Sequence, residues 1–206
     1  MKNRITFVLA ITIAFFGMGC GGDSGYTGPG SIISGNMKNA ANLQAFIDQD
    51  SVGSGPNNIL AKTEIDADGN YKFDFPDGLG AGIYRMRIGA KRVNFIFDGT
   101  EKDVRINGDL STLQNYNFDV SGSASTTTYR NVFQKLKNRQ LDQNAIKTFV
   151  DTTSNPYTAM LIAIQTMQNR QFLDTHKAAQ ARLSAKHPES PYIKAYGDFI
   201  TSLSTV

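Results

Sequence analysis

The chain has 206 residues, with 21 Lys and Arg against 18 Asp and Glu and a formal charge of +3. That near balance, with no more than two basic residues adjacent, excludes the dense cationic surface by which proteins hold nucleic acids and other acidic polymers. A single cysteine excludes an internal disulfide, so stability must come from the core alone.

Lys2 and Arg4 open the chain, Ile5 to Phe16 are predominantly apolar, and Gly17-Met18-Gly19 lead into Cys20. A positive start, an apolar run too short to span a bilayer and a small-residue processing site predict a signal peptide over 1–19. A lone thiol at the first mature position predicts lipid attachment at Cys20. The Gly-rich stretch after it predicts a flexible tether over 20–29. These features imply a membrane-anchored lipoprotein of the cell envelope, facing the periplasm or the cell surface, held stably when several acyl chains are attached. Loss of Lys2 and Arg4 with the leader lowers the formal charge from +3 to +1.

From residue 30 to 121 the pattern is that of strands. Ser31 to Gly35 begins the series, and Asn42 to Ile47 alternates as a half-buried strand does. A Gly/Ser/Pro/Asn loop at 51–58 precedes Ile59 to Ile65. Asp66-Ala67-Asp68-Gly69 then reads as a turn, with Tyr71, Phe73 and Phe75 recurring at period two beyond it. After Pro76 to Gly80, Tyr84, Met86 and Ile88 fall on one face with Arg85 and Arg87 on the other. Val93, Phe95 and Phe97 repeat the pattern, followed by short segments around Val104 and Ile106 and around Phe118 and Val120. Seven or eight short strands punctuated by turns predict an antiparallel β-sandwich.

The spacing becomes helical past Ser121-Gly122-Ser123. Tyr129, Val132, Phe133 and Leu136 share one helical face, and so do Ile146, Phe149 and Val150. Asn155-Pro156 has the form of a cap followed by a first-turn proline. It introduces Tyr157, Met160, Leu161, Ile164 and Met167 as a broad apolar face. A helix over Phe172 to about Lys186 and a last one after Ser190-Pro191, carrying Tyr192, Ile193, Tyr196, Phe199 and Ile200, complete a bundle-like region over 122–206. The Asn155-Pro156-Tyr157 and Ser190-Pro191-Tyr192 starts are alike and 35 residues apart, but two copies are too few for a solenoid. Strands first and helices second make the class α+β.

Three stretches resemble a known arrangement. Gly30 to Ala40 is similar to the opening of a domain of unknown function that begins many thioredoxin-like bacterial lipoproteins. Thr63 to Phe73 and Val104 to Leu110 resemble its later strands, and Lys186-His187-Pro188-Glu189-Ser190-Pro191-Tyr192 resembles the helical segment before their thioredoxin domain. The resemblance implies an accessory region of an envelope thiol–disulfide oxidoreductase or peroxiredoxin-like protein, with a redox protein as partner. No Cys-x-x-Cys is present, so this polypeptide has no thiol pair for that chemistry. Three readings follow: a non-catalytic accessory lipoprotein, a stand-alone lipoprotein that binds a peptide, glycan or protein, or an oxidoreductase whose catalytic domain lies past Val206. An exposed aromatic patch on the sheet would favour the second. A flat apolar face around Tyr196 and Phe199 would favour the first or third.

No constellation of residues predicts catalysis, a metal or another cofactor. Asp66-Ala67-Asp68-Gly69-Asn70 lacks the glycine position and terminal Glu of an EF-hand loop and is read as a hairpin turn. The same grammar occurs as structure in transthyretin-like modules. His176 and His187, the only histidines, are read as exposed helix surface. Val52-Gly53-Ser54-Gly55 is not a nucleophile elbow. Asp74 and Asp77 flank a turn rather than a cleft, and Asp98 and Asp109 are read as turn residues. Gly78 to Gly82 lacks the dinucleotide spacing. Most of the aromatics from Tyr71 to Phe97 are assigned to the core, and Arg85, Arg87, Lys91 and Arg92 to a solvated sheet face.

Overall fold

A computed structural model describes residues 28–51 and 58–205. The predicted leader, Cys20, the tether up to residue 27 and the Val52-Gly53-Ser54-Gly55 loop lie outside the described residues. Eight strands come first among those described: β1 (Ser31–Lys38), β2 (Gln44–Gln49), β3 (Asn58–Glu64), β4 (Asn70–Phe75), β5 (Gly82–Ile88), β6 (Lys91–Phe97), β7 (Asp103–Asp109) and β8 (Phe118–Ser121). Five α-helices follow: α1 (Ala124–Lys137), α2 (Gln143–Thr152), α3 (Pro156–Thr166), α4 (Leu173–Lys186) and α5 (Tyr192–Ser204). The chain is therefore α+β, with the strands preceding the helices. No helix among the described residues is long and apolar enough to cross a membrane.

The strands form two four-stranded sheets, ordered β4-β1-β7-β8 and β3-β2-β5-β6. Pairing is antiparallel except between β1 and β7, which run parallel with Ile33 opposite Val104. Strand pattern alone predicts the period but not this exception. Side chains at period two meet between the sheets: Ile33, Met37, Tyr71, Phe73, Val104 and Ile106 on one, Ala45, Ile47, Met86, Ile88, Val93 and Phe95 on the other, all buried. Close approach requires Gly35, where a Cβ would lie 1.9 Å from the Ile106 carbonyl oxygen. The Asp66–Gly69 turn is held by its own carboxylate, which accepts from the backbone N–H of Asp68 and Asn70 at 2.9 and 2.7 Å. Gly69, at φ +87°, completes it. It is not the hairpin turn its sequence suggested: β3 and β4 belong to different sheets and do not pair, so the turn carries the chain from one sheet to the other.

Helix starts follow the capping grammar. Ser123 Oγ accepts from Thr126 N, and Asn155 Oδ1 accepts from Tyr157 N and Thr158 N with Pro156 in the first turn. The last start differs from expectation: Pro191 itself occupies the cap position of α5 and makes no side-chain cap bond. The two Pro-Tyr starts meet in space, with Tyr157 and Tyr192 edge to face at 5.5 Å between ring centres. Helix α3 is buried from Pro156 to Ala163 on every side, not on one face.

His176 corrects the sequence reading. It is wholly buried, with Nδ1 2.8 Å from the Tyr196 hydroxyl and Nε2 2.9 Å from the Met167 carbonyl. A carbonyl can only accept, so Nε2 carries the proton; burial favours the neutral ring, whose Nδ1 then accepts from Tyr196. The ring thereby satisfies a carbonyl at the end of α3 that has left the helical ladder. The misreading came from its polar neighbours Thr175 and Lys177; its spacing to Ala179 and Leu183 places it on the core face. His187 is half-buried, its ring 4.8 Å from that of Tyr157. Tyr196 is buried too, and the half-buried Phe199 packs on His176 with ring centres 5.3 Å apart.

Burial lowers the His176 pKa from its ordinary 6.5. The unfolded chain then takes up a proton that the folded chain refuses, so the stability contribution is complete above pH 6.5 and lost as pH falls below it. Urea unfolding between pH 8 and pH 5 is expected to show stability falling on the acid side. The His176→Gln variant is expected to be less stable at pH 8 and to have a shallower slope.

Candidate functional site

The outer face of the β3-β2-β5-β6 sheet carries charge where the inner face carries hydrocarbon. Asp48 and Asp50 alternate outward on the β2 side, and Arg85 and Arg87 alternate outward on β5. This puts two acids at period two beside two bases at period two, with Asp48 opposite Arg85 in the register. The pairs form diagonally. Arg87 grips Asp48 with two nitrogens, Nη2 at 2.9 Å from Oδ1, and lies over the Phe46 ring at 4.7 Å. Arg85 donates to Asp50 at 2.7 Å. Asp48 is 1% exposed and Asp50 8%, so these are embedded pairs and not the solvated face the sequence implied for Arg85 and Arg87. Lys91 is half-buried and Arg92 exposed.

From Asp50 the hydrogen bonds continue into the helices. Asn94 on β6 accepts from Arg85 Nε at 3.3 Å and donates to Asp50 at 3.2 Å. Its backbone N–H donates to the Tyr116 hydroxyl at 2.9 Å. That hydroxyl lies 3.4 Å from the hydroxyl of Tyr129 on α1, which in turn reaches Gln165 on α3. Burial pushes both phenols above their ordinary pKa of 10, so they stay neutral and serve as hydrogen-bonding groups. Tyr116 has φ +59° at the end of a short 3-10 turn over Leu113–Asn115, an uncommon conformation for a bulky residue. Gln134 holds it there by donating to its carbonyl at 2.8 Å.

An open cleft of about 570 Å3 lies beside this chain of bonds. Arg85 and Asn94 reach it from the sheet with Arg92; Gln114, Asn115 and Tyr116 form one wall, and Phe133 and Lys137 of α1 the other. No acid lines it. It is the strongest site candidate because charge, buried polar bonds and an unusual backbone conformation coincide there.

A second polar junction joins sheet and helix. The Glu101 carboxylate accepts from the backbone N–H groups of Asp98 and Gly99 at 3.0 Å and lies 2.9 Å from Ser123 Oγ, the cap of α1. Burial raises the Glu101 pKa, while the Thr100 hydroxyl lowers that of Asp98. Among the described residues no three His, Cys, Asp or Glu gather as metal ligands would.

Of the residues singled out in the sequence, Asp74 and Asp77 are exposed, and Asp98 and Asp109 bond within their own turns to Thr100 and Ser111. Tyr71, Phe73, Phe75, Tyr84, Phe95 and Phe97 are all buried, so these six form no aromatic groove. Sequence reasoning missed Asp48, Asp50, Asn94, Tyr116 and Lys137. The matched two-residue spacing of Asp48/Asp50 and Arg85/Arg87 was the available signal; nothing local marks the others.

No family model and no curated protein matches the sequence. Among solved structures, the chain is similar to (S)-allantoin synthase at 8% identity, covering 46% of this chain and 44% of that one with a TM-score of 0.33. A Klebsiella pneumoniae 5-hydroxyisourate hydrolase matches at 12% identity, 46% and 99% coverage and a TM-score of 0.30. A Cyanothece 9R-lipoxygenase matches at 13%, 78% and 25%, and 0.32. The chain thus spans under half the length of the synthase and a quarter of the lipoxygenase. At these scores the likenesses carry no functional argument.

Removing one partner of an embedded ion pair leaves the other charge unsolvated. Asp50→Ala is expected to lower the unfolding free energy by about 3 kcal/mol. Asp198→Ala, which breaks the exposed pair between Lys194 and Asp198 at 2.6 Å, should change it by less than about 0.5 kcal/mol. Urea denaturation of both variants, with Arg85→Ala and the Asp50/Arg85 double variant to close the cycle, measures the difference.

Proposed function

We propose that this chain is a lipid-anchored, non-catalytic envelope protein that works by binding. The observation that carries this reading is the state of its proton-bearing groups. Asp48, Asp50 and Glu101 are each bonded to arginine, asparagine, serine or backbone donors, and the buried Tyr116, Tyr129 and Tyr192 hydroxyls are bonded to backbone or side chains. General acid–base or nucleophilic chemistry needs such a group facing substrate, whereas here Asp48 and Asp50 pair within the sheet and Glu101 and Tyr192 join strand segments to helices. What faces solvent in the cleft is a set of hydrogen-bond donors, which can hold a ligand and orient it.

The succession of sandwich and helices is also the order expected of the accessory region of thioredoxin-like lipoproteins. A redox protein therefore stands as a candidate partner beside a small ligand. The anchor supplies the location: a leader over 1–19, a lipid on Cys20 and a Gly-rich tether would hold the folded part off the membrane.

Metabolic labelling with a palmitate analogue and detergent-phase partition test the anchor. The unaltered protein is expected to incorporate label and enter the detergent phase, and Cys20→Ala to do neither. Equal behaviour of the two would overturn the lipid-anchored reading.

A further inference from the structure

We propose that the cleft between β6, the Leu113–Asn115 turn and α1 binds an acidic sugar, a small polyhydroxyl molecule bearing a carboxylate or phosphate. The charge balance of the site points to an anion. Asp48 and Asp50 are taken by Arg87 and Arg85, while Arg92 from the sheet and Lys137 from α1 line the cleft with no acidic partner among the described residues.

The neutral groups point to a sugar. The side-chain amides of Gln114 and Asn115 are exposed and have no hydrogen-bond partner among the described residues, so each offers a donor and an acceptor to hydroxyl groups. Phe133, half-buried against Tyr116 with ring centres 4.2 Å apart, lines the cleft and adds apolar surface beside the polar groups, the mixture a sugar requires. Lys137 Nζ lies 5.8 Å from that ring. The wall is pre-formed, because Tyr116 is fixed by bonds to Asn94 and Gln134. A cleft of about 570 Å3 with two unneutralised cations matches a mono- or disaccharide. A nucleic acid strand would require a longer run of cations.

The inference rests on the reading of this chain as a binding protein but not on its anchor, so failure at Cys20 and failure at the cleft are separate results. Titration calorimetry of the purified full-length protein with galacturonate, glucose 6-phosphate, galactose, glucose, inorganic phosphate and a short oligonucleotide tests it. Saturable binding of at least one of the two acidic sugars is expected, about tenfold or more tighter than its neutral counterpart and than inorganic phosphate. The Arg92→Gln/Lys137→Gln double variant should weaken it about tenfold or more with an unchanged melting temperature, and Lys194→Gln should not weaken it. Four results would each overturn the proposal: no saturable binding of either acidic sugar, equal affinity for the neutral sugars or for inorganic phosphate, preference for the oligonucleotide, or full affinity in the double variant.

Discussion

The arrangement depends on how one sheet satisfies the backbone groups that strand pairing leaves over. Strand β6 is the edge of its sheet, and an edge presents a row of unpaired N–H and C=O groups. Here side-chain hydroxyls take the place of a further strand. Tyr116 accepts from Asn94 N, and Thr126 Oγ1 both accepts from Ile96 N at 3.2 Å and donates to Ile96 O at 2.8 Å. On β5, Tyr192 does the same for both groups of Ile83, at 3.2 and 3.0 Å. Buried backbone polar groups must be paired. These three hydroxyls therefore let helices α1 and α5 lie directly against the sheet.

That docking explains why the outer face of the sheet changes character along its length. Ile83 and Ile96 share that face with Arg85 and Asn94 but are fully buried, because the helices cover them. Arg87 and Arg92, farther along the same strands, are half-buried and exposed. The Asp48–Arg87 and Asp50–Arg85 pairs lie at the transition. Buried pairs of this kind add little net stability over hydrocarbon. Their effect is to fix where the covered part ends and the polar cleft begins.

The secondary structure was legible because it obeys short periods. Alternation marked Tyr71, Phe73 and Phe75, and capping marked Asn155-Pro156, with boundaries close to those observed. Two features with no local period were not legible. The parallel pairing of β1 with β7 joins segments some seventy residues apart, and a strand's own pattern does not state the direction of its neighbour. His176 looked exposed because its immediate neighbours are polar. Its hydrogen bonds to Met167 and Tyr196 arise only when α3, α4 and α5 come together.

The sequence by itself determined the order of strands and helices, the turn at Asp66–Gly69 and the Asn155-Pro156 cap, since each follows from the stereochemistry and spacing of a few adjacent residues. It also set the supply of charge, two acids and two bases at matching intervals. Only the tertiary structure decided that these four meet, that Arg92 and Lys137 line one cleft, and that Tyr116 closes the edge of a sheet from a turn formed twenty-two residues after its partner Asn94. The physical reason is that pairing energies depend on distance and burial, and both are set by elements far apart in the chain.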